Sequence, residues 1–469
     1  MNTAKSKKPT SARGSNTIDM CEGAILPLII RFAVPLIITG VLQVLFNAAD
    51  IMVVGKFGEE HSLAAVSSTG SITALIVNLF IGLSVGTNVL CARFFGAKDG
   101  KALSETVHTS IVIAVIMGVG LTLVGLVFSK PLLILMDVPE EVLPGATLYM
   151  QIYFLGMVPS LLYNFASAVL RSVGDTKRPM YFLILSGILN VLLNLLLVIV
   201  FKLDVAGVAI ATITSQAVSA ILTLICLIRE NGDVRLCFNK LKITKIRLVQ
   251  IVKIGLPAGL QSTMFSIANV VVQSSLNGFG SDIMAGSGAA GSVESLLFTA
   301  LDAIYQAVVC FTGQNFGRRL YKRILKAQIW GQIIVYTAGF AMCLLAVIYA
   351  EQLVSLFADK PAEIAAGVDR MNMIALSVFI YASSNVAVAT IRGLGYSLTP
   401  MITSLICVCG ARMVWIFTVF RLEAFHNVRG LYAAFPVSYV LSLVVQVVCL
   451  IFVFRNAKKR FPEIIPEQK

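Results

Sequence analysis

Twelve apolar runs, each close to the ~20 residues that a helix needs to cross the hydrocarbon core of a bilayer, leave this chain few folds to choose from. Cut at charged and Pro/Gly-rich breaks, they start near residues 31, 63, 106, 145, 180, 205, 254, 284, 327, 371, 399 and 430. Only 13% of the 469 residues are charged and the mean hydropathy is +0.87, whereas soluble domains carry about 25% charged residues. The expectation is an all-α polytopic membrane protein with twelve transmembrane helices.

The basic residues then orient the chain. Twenty-nine Lys and Arg fall on one side, counting the termini and the even loops, and seven on the other, with Arg412 alone inside a span. By the positive-inside rule both termini are expected in the cytoplasm, as part of a multi-pass protein of the inner or plasma membrane. A net charge of +13 on a soluble protein would suggest nucleic acid. Here the charge sits in alternate loops, so the expected partner is the bilayer and not nucleic acid. The N-terminus shows no apolar stretch with a small-residue cleavage site, so no cleaved signal peptide is expected.

Motifs of soluble enzymes find no support. GSGAAG at 286–291 fits G-x-G-x-x-G but opens a membrane span instead of following a strand; close helix packing by small residues accounts for it. SVGDTK at 172–177 lacks the P-loop spacing, and the three histidines are far apart in sequence, which argues against a metal site. The nine cysteines lie mostly in or beside apolar runs without C-x-x-C spacing and read as small core residues. Neither enzymatic activity nor a cofactor is expected.

The chain repeats itself. A shift of 222 residues lays Arg31, Pro35, Asn47, Phe57 and Gly58 on Lys253, Pro257, Asn269, Phe279 and Gly280. A shift of 221 then aligns Phe95 and Gly96 with Phe316 and Gly317, and LRSVGDTKRPM (170–180) with IRGLGYSLTPM (391–401). Six spans separate matching points, so the halves are parallel repeats, an arrangement that places a substrate path between two bundles. The expected organisation is a cytoplasmic N-terminal segment (1–30), a first lobe of six spans (31–228), a linker (229–253), a second lobe of six spans (254–454) and a C-terminal tail (455–469). The linker carries seven basic residues and reads as a connecting helix on anionic headgroups.

Within the spans Asp50 is the residue that most needs a reason, because a carboxylate at bilayer depth costs at least about 2.5–3.5 kcal/mol on insertion scales. Protonation removes that cost, so the group suits proton coupling, and a cationic ligand could replace the proton. Val272 occupies the repeat-related position, so the fold itself does not require the acid. Gln43, Asn47 and Asp50 share a helical face, and Asn190 and Asn194 are one turn apart. In the second half Glu294 lies near a span start, while Asp302 and Arg412 are both deep and are expected to form a structural pair.

These residues resemble the multidrug and toxic compound extrusion (MATE) transporters, nearest to the DinF-like bacterial branch. The resemblance covers residues 20 to 455 and rests on Pro35 with NAADIMVVGKFG, CARFFGAKD (91–99), LRSVGDTKRPM, the Asn190 and Asn194 pair, and FTGQNFG (311–317). It implies a V-shaped twelve-helix antiporter that exports organic, often cationic and amphipathic, compounds in exchange for H⁺ or Na⁺. Carried over, Asp50 matches the first-span acid central to ion coupling, Asn190 the Asn of a fifth-span N-x-x-x-D pattern, and Thr212 a sixth-span polar position. Asn194 stands where that pattern has Asp. The seventh span offers Gln261, Asn269 and Gln273 where the NorM branch has a carboxylate, which favours H⁺ over Na⁺.

The resulting expectation is a monomeric secondary exporter of small molecules. Asp50, Asn190, Asn194 and Thr212 form its ion site, and Gln43, Asn47, Asn164, Gln261, Asn269 and Gln273 face its substrate. The alternatives are a lipid-linked oligosaccharide flippase of the same superfamily, which would need cationic residues along the cavity, and a non-transporting receptor or scaffold.

Overall fold

The computed structural model describes residues 17–59 and 61–463; the rest of the two expected terminal segments lies outside them. Twelve spans run in order: α1 Ile25–Phe57, α2 Ser62–Ala97, α3 Gly100–Leu135, α4 Leu143–Leu155 with Met157–Ser172, α5 Lys177–Val200, α6 Asp204–Arg229, α7 Lys245–Leu276, α8 Ser281–Gly317, α9 Tyr321–Ile348, α10 Pro361–Gly393, α11 Leu398–Arg421 and α12 Val428–Arg460. Among the described residues there are no strands, as expected where each backbone polar group must be satisfied inside hydrocarbon. α4 bends by 45° at Gly156, where Ile213 packs so closely that a β-carbon would meet it.

The helices begin one to ten residues before the hydropathy breaks. Hydropathy marks the hydrocarbon edge, whereas helices continue into the headgroups; as a result Arg370 belongs to α10 and not to a loop. The linker also departs from expectation. It forms two single 3₁₀ turns, Gly232–Val234 and Phe238–Lys240, before α7 starts at Lys245. These segments dock on α3: Cys237 N donates to His108 Nε2 (3.0 Å), Thr244 N to Thr109 Oγ1 (3.1 Å), and Arg247 pairs with Glu105 (3.0 Å).

Glycines set how the two halves meet. On α2, a β-carbon at Gly82 would collide with the backbone of Gly259, and one at Gly86 with that of Ile251 and Gly255. The repeat appears again in the α2–α8 contact, where Gly96 lies on Gln314 and its counterpart Gly317 lies on Arg93, the counterpart of Gln314. Small residues let membrane helices pack at van der Waals distance, which replaces the hydrophobic drive that lipid cannot supply. GSGAAG behaves in the same way, with Gly286 on α8 closing against Glu363 and Gly367 of α10.

The segment just before α1 straps across this seam. Ile18 N donates to Val173 O in the first lobe (3.2 Å), and Met20 N donates to Gln314 Oε1 in the second (2.9 Å). Asn315 and Arg323 both donate to Met20 O (3.1 and 3.0 Å), and Arg318 pairs with Asp19 (3.0 Å). Gln314 and Asn315 of the FTGQNFG motif thus hold the strap, and Gln314 Nε2 also donates to Ser172 O across the seam (2.8 Å). Within the strap, burial pushes the Cys21 thiol up to about 12, so at pH 7.5 it stays protonated and non-nucleophilic. In a variant keeping Cys21 as its only cysteine, maleimide labelling at pH 7.5 should be at least about 100-fold slower than that of a free thiol. Arg318→Ala should accelerate it by loosening the strap; labelling at the free-thiol rate without that change would show that the strap does not stay seated.

Candidate functional site

Asp50 lies two turns from the end of α1. Gly187 on α5 leaves room for the Phe46 ring, and this close approach brings the end of α1 against α5. There Asn194 Nδ2 donates to Asp50 Oδ1 and, at 3.4 Å, to Asn190 Oδ1. Asn190 and Thr212 also reach Asp50 with hydrogen-bonding groups, while Thr212 Oγ1 donates back to Val208 O on its own helix (2.9 Å). The cluster is half-buried at Asp50 and buried at Asn190 and Asn194. No cationic side chain offsets the carboxylate among the described residues. Asn194 Oδ1 has no donor among them, so the amide keeps an acceptor that a protonated carboxyl could use after a flip. Directly beyond Asn194, α5 widens into a π-helix over Leu195–Val200, a geometry frequent at functional sites. Tyr149 and Tyr153 of α4 stand near enough to feel the Asp50 charge, and nothing in the sequence pattern singled them out.

A second site lies between the lobes, as two contiguous cavities of about 820 and 400 Å³ that share Gln43, Asn78, Arg171, Phe265, Asp302 and Tyr381 among their walls. Asp50 lines neither. Four arginines do. Arg171 and Arg392 occupy matching places in the repeat, each in the last turn of its helix. Arg171 Nη1 donates to Gln306 Oε1 (2.8 Å), and Gln306 Nε2 donates to Asp302 Oδ2 (2.8 Å). Arg392 donates to Tyr305 Oη (2.5 Å) and Gln261 Oε1 (2.6 Å). Arg370 makes a two-point pair with Glu294 at 2.9 Å and donates to Ser287 Oγ (2.6 Å).

The expected pair of Asp302 and Arg412 does not form. Arg412 donates to Asn269 Oδ1 (2.9 Å) and Ser438 Oγ (3.2 Å) and lies over the Phe435 ring at 4.2 Å, while Asp302 is held by Gln306. Depth along a helix gave no information on which face each side chain takes. Glu294, placed near a span start by sequence, is itself buried and has the ion-pair partner instead. Gln43, Asn164, Gln261, Asn269 and Gln273 line the cavities, although Gln261 and Asn269 are engaged by arginines and Asn164 donates to Ser160 O (2.9 Å). Asn47 lines neither cavity and is exposed, so of the trio sharing one face of α1 only Gln43 reaches the cavity and only Asp50 the cluster with α5. Arg171, Arg370, Arg392 and Gln306 were missed, the arginines because hydropathy cuts left them in loops; the shared Arg of the two repeat motifs was the available signal. Among the described residues no cluster of metal-ligating side chains occurs.

A doubled six-helix frame with a deep cavity between its halves defines a polytopic membrane transporter and not an enzyme. The MatE family profile matches residues 35–196 and 257–418, one match in each lobe, and the chain belongs to that family. YoeA of Bacillus subtilis (strain 168), a probable multidrug resistance protein, is 28% identical over 425 residues, covering 88% of this chain and 90% of its own. An FAD transporter of Shewanella oneidensis is 26% identical over 327 residues, covering 69% of this chain and 72% of its own. The fold matches a solved MATE-family multidrug resistance transporter of the MOP superfamily in an outward-facing conformation, with a TM-score of 0.87 and 22% identity over 95% of this chain and 100% of the other.

The two acids of the second lobe should respond differently to neutralisation. Glu294→Ala leaves the largely enclosed Arg370, 12% exposed, without its counter-ion and should cost about 3 kcal/mol, read as a clear fall in the melting temperature of the purified protein. Asp302→Asn retains a partner for Gln306 and should leave it within a few degrees of wild type. Equal losses would show that Arg370 and Glu294 are not the stabilising pair.

Proposed function

We propose that this protein is a secondary active exporter of the plasma membrane, multi-pass with both termini cytoplasmic, that exchanges an amphipathic small molecule for H⁺ bound at Asp50. The observation that carries the reading is a lone carboxylate facing only neutral donors and acceptors, in Asn190, Asn194 and Thr212. In its ionised form this carboxylate keeps a charge within the bilayer; on protonation the charge is gone while Asn194 still offers an acceptor. Each protonation state is thus matched to a different degree of wetting, and coupling needs that kind of differential affinity between two lobe arrangements. Sodium could be held by the same oxygens, but a single carboxylate and no seventh-span acid favour the proton.

The small molecule occupies the interlobe cavity, whose volume is of the size that small ligands fill. α1 links the two sites, since its middle presents Thr39, Gly40 and Gln43 to the cavity while its end carries Asp50. The names of relatives, multidrug resistance for one and FAD transport for another, support export of a small molecule. A monomer is sufficient, because both sites are built within one chain.

The test follows the lobes directly. Spin labels placed across the cavity mouth in nanodiscs should report an inter-lobe distance distribution that shifts between pH 8 and pH 5 at constant Na⁺. Asp50→Asn, a permanently neutral side chain, should stay at the low-pH distribution at every pH. A distribution that moves with Na⁺ at fixed pH, or that still follows pH in Asp50→Asn, would overturn proton coupling at this residue.

A further inference from the structure

The charges around the interlobe cavity are the wrong sign for an organic cation. Arg171, Arg370, Arg392 and Arg412 face it against only Glu294 and Asp302. Glu294 is consumed by Arg370 in a two-point pair. Asp302 alone is left to offset Arg171 and Arg392, and it feels both. Arg392 is 7% exposed, its Nε has no acceptor among the described residues, and the partners it does have are neutral. Buried guanidinium groups satisfied only by neutral acceptors keep their field, and a low-dielectric wall concentrates that field in the cavity.

An apolar surface adjoins this field. Tyr381 and Phe265 line both cavities and pack edge to face with centroids 5.9 Å apart; Phe298 and Tyr439 meet Tyr381 at 5.6 and 4.9 Å. We propose that the cavity binds an organic anion with an aromatic body, its carboxylate or phosphate between the repeat-related Arg171 and Arg392 and its ring against Tyr381 and Phe265. Arginine suits both acids because its planar fork presents paired donors, and the aromatic faces accept a ring without demanding a particular structure. Asp302 is then an internal counter-ion that the ligand's own charge opposes. This inference rests on the transport role proposed above but concerns the ligand's charge alone.

Asp302 gives the test a sign. Binding of carboxyfluorescein and of ethidium to the purified full-length protein is measured by fluorescence polarisation, with size-exclusion profiles to confirm folding. Wild type should bind carboxyfluorescein, with ethidium unable to displace it. Asp302→Asn should tighten carboxyfluorescein several-fold, because it removes the opposing charge while keeping a partner for Gln306. Arg171→Gln and Arg392→Gln should weaken it about 10- to 100-fold, and Arg171→Lys should recover much of the loss by restoring the charge. Ethidium binding that Asp302→Asn weakens, with no carboxyfluorescein binding by a folded protein, would overturn the proposal. Displacement of carboxyfluorescein by farnesyl diphosphate but not by naphthyl phosphate would assign the cavity to a lipid-linked anion and overturn the aromatic part. The assay reads equilibrium binding with no ion gradient, so a failure of proton coupling at Asp50 leaves the preference of the cavity for anion over cation unchanged.

Discussion

A carboxylate at bilayer depth with only neutral partners is the constraint on which this structure turns. Had Asp50 met a lysine or arginine, the pair would be a fixed charge cluster like that of Arg370 and Glu294, costly to break and stable in one state. Asn194 holds the carboxyl group, with the neutral Asn190 and Thr212 beside it, and none of them brings a compensating charge. In the coupling proposed above the group would pass between two protonation states; around it the Phe46 ring over Gly187 sets the helix spacing, and the π-helix over Leu195–Val200 lies directly beyond Asn194. The second lobe has Val272 at the equivalent place, buried among apolar neighbours, so the two halves share a frame and divide the chemistry.

The two halves are also joined in two different ways. Along α2, glycines bring the backbones of Gly82 and Gly259, and of Gly96 and Gln314, into contact; such contacts are short-ranged and are lost as soon as the helices separate. Across the same seam the strap at Ile18–Gly23 uses directional hydrogen bonds and the ion pair of Asp19 with Arg318. The cavity between the lobes depends on this closure, since Arg171 and Arg392 sit at the ends of helices that the seam fixes relative to each other.

Much of the frame was legible in the sequence, for reasons that are physical. Twelve apolar runs admit little but helices, and the 221-residue shift that aligns Gly96 with Gly317 marks the very residues that touch across the seam. Gly174 and Gly395 match in the same way, with φ of +89° and +90°, a conformation that favours glycine. Asp50 with Asn190 and Asn194 could be read because an unexplained acid at depth is rare and two asparagines one turn apart share a face. Arg171, Arg370 and Arg392 were hidden for the opposite reason: a charge cut off at the edge of an apolar run looks like a loop residue until the helices are known to extend past the hydrocarbon edge. Asp302 and Arg412 misled because one-dimensional depth carries no information about rotation around a helix axis.

The central claim is that the charge state of Asp50 couples ion movement to export, and gradient-driven transport in proteoliposomes tests it most directly. With carboxyfluorescein on both sides and an imposed pH gradient, antiport predicts that wild type accumulates the dye on the acidic side as protons move the other way, while Asp50→Asn exchanges dye without accumulating it. Accumulation by Asp50→Asn equal to that of wild type would contradict the account.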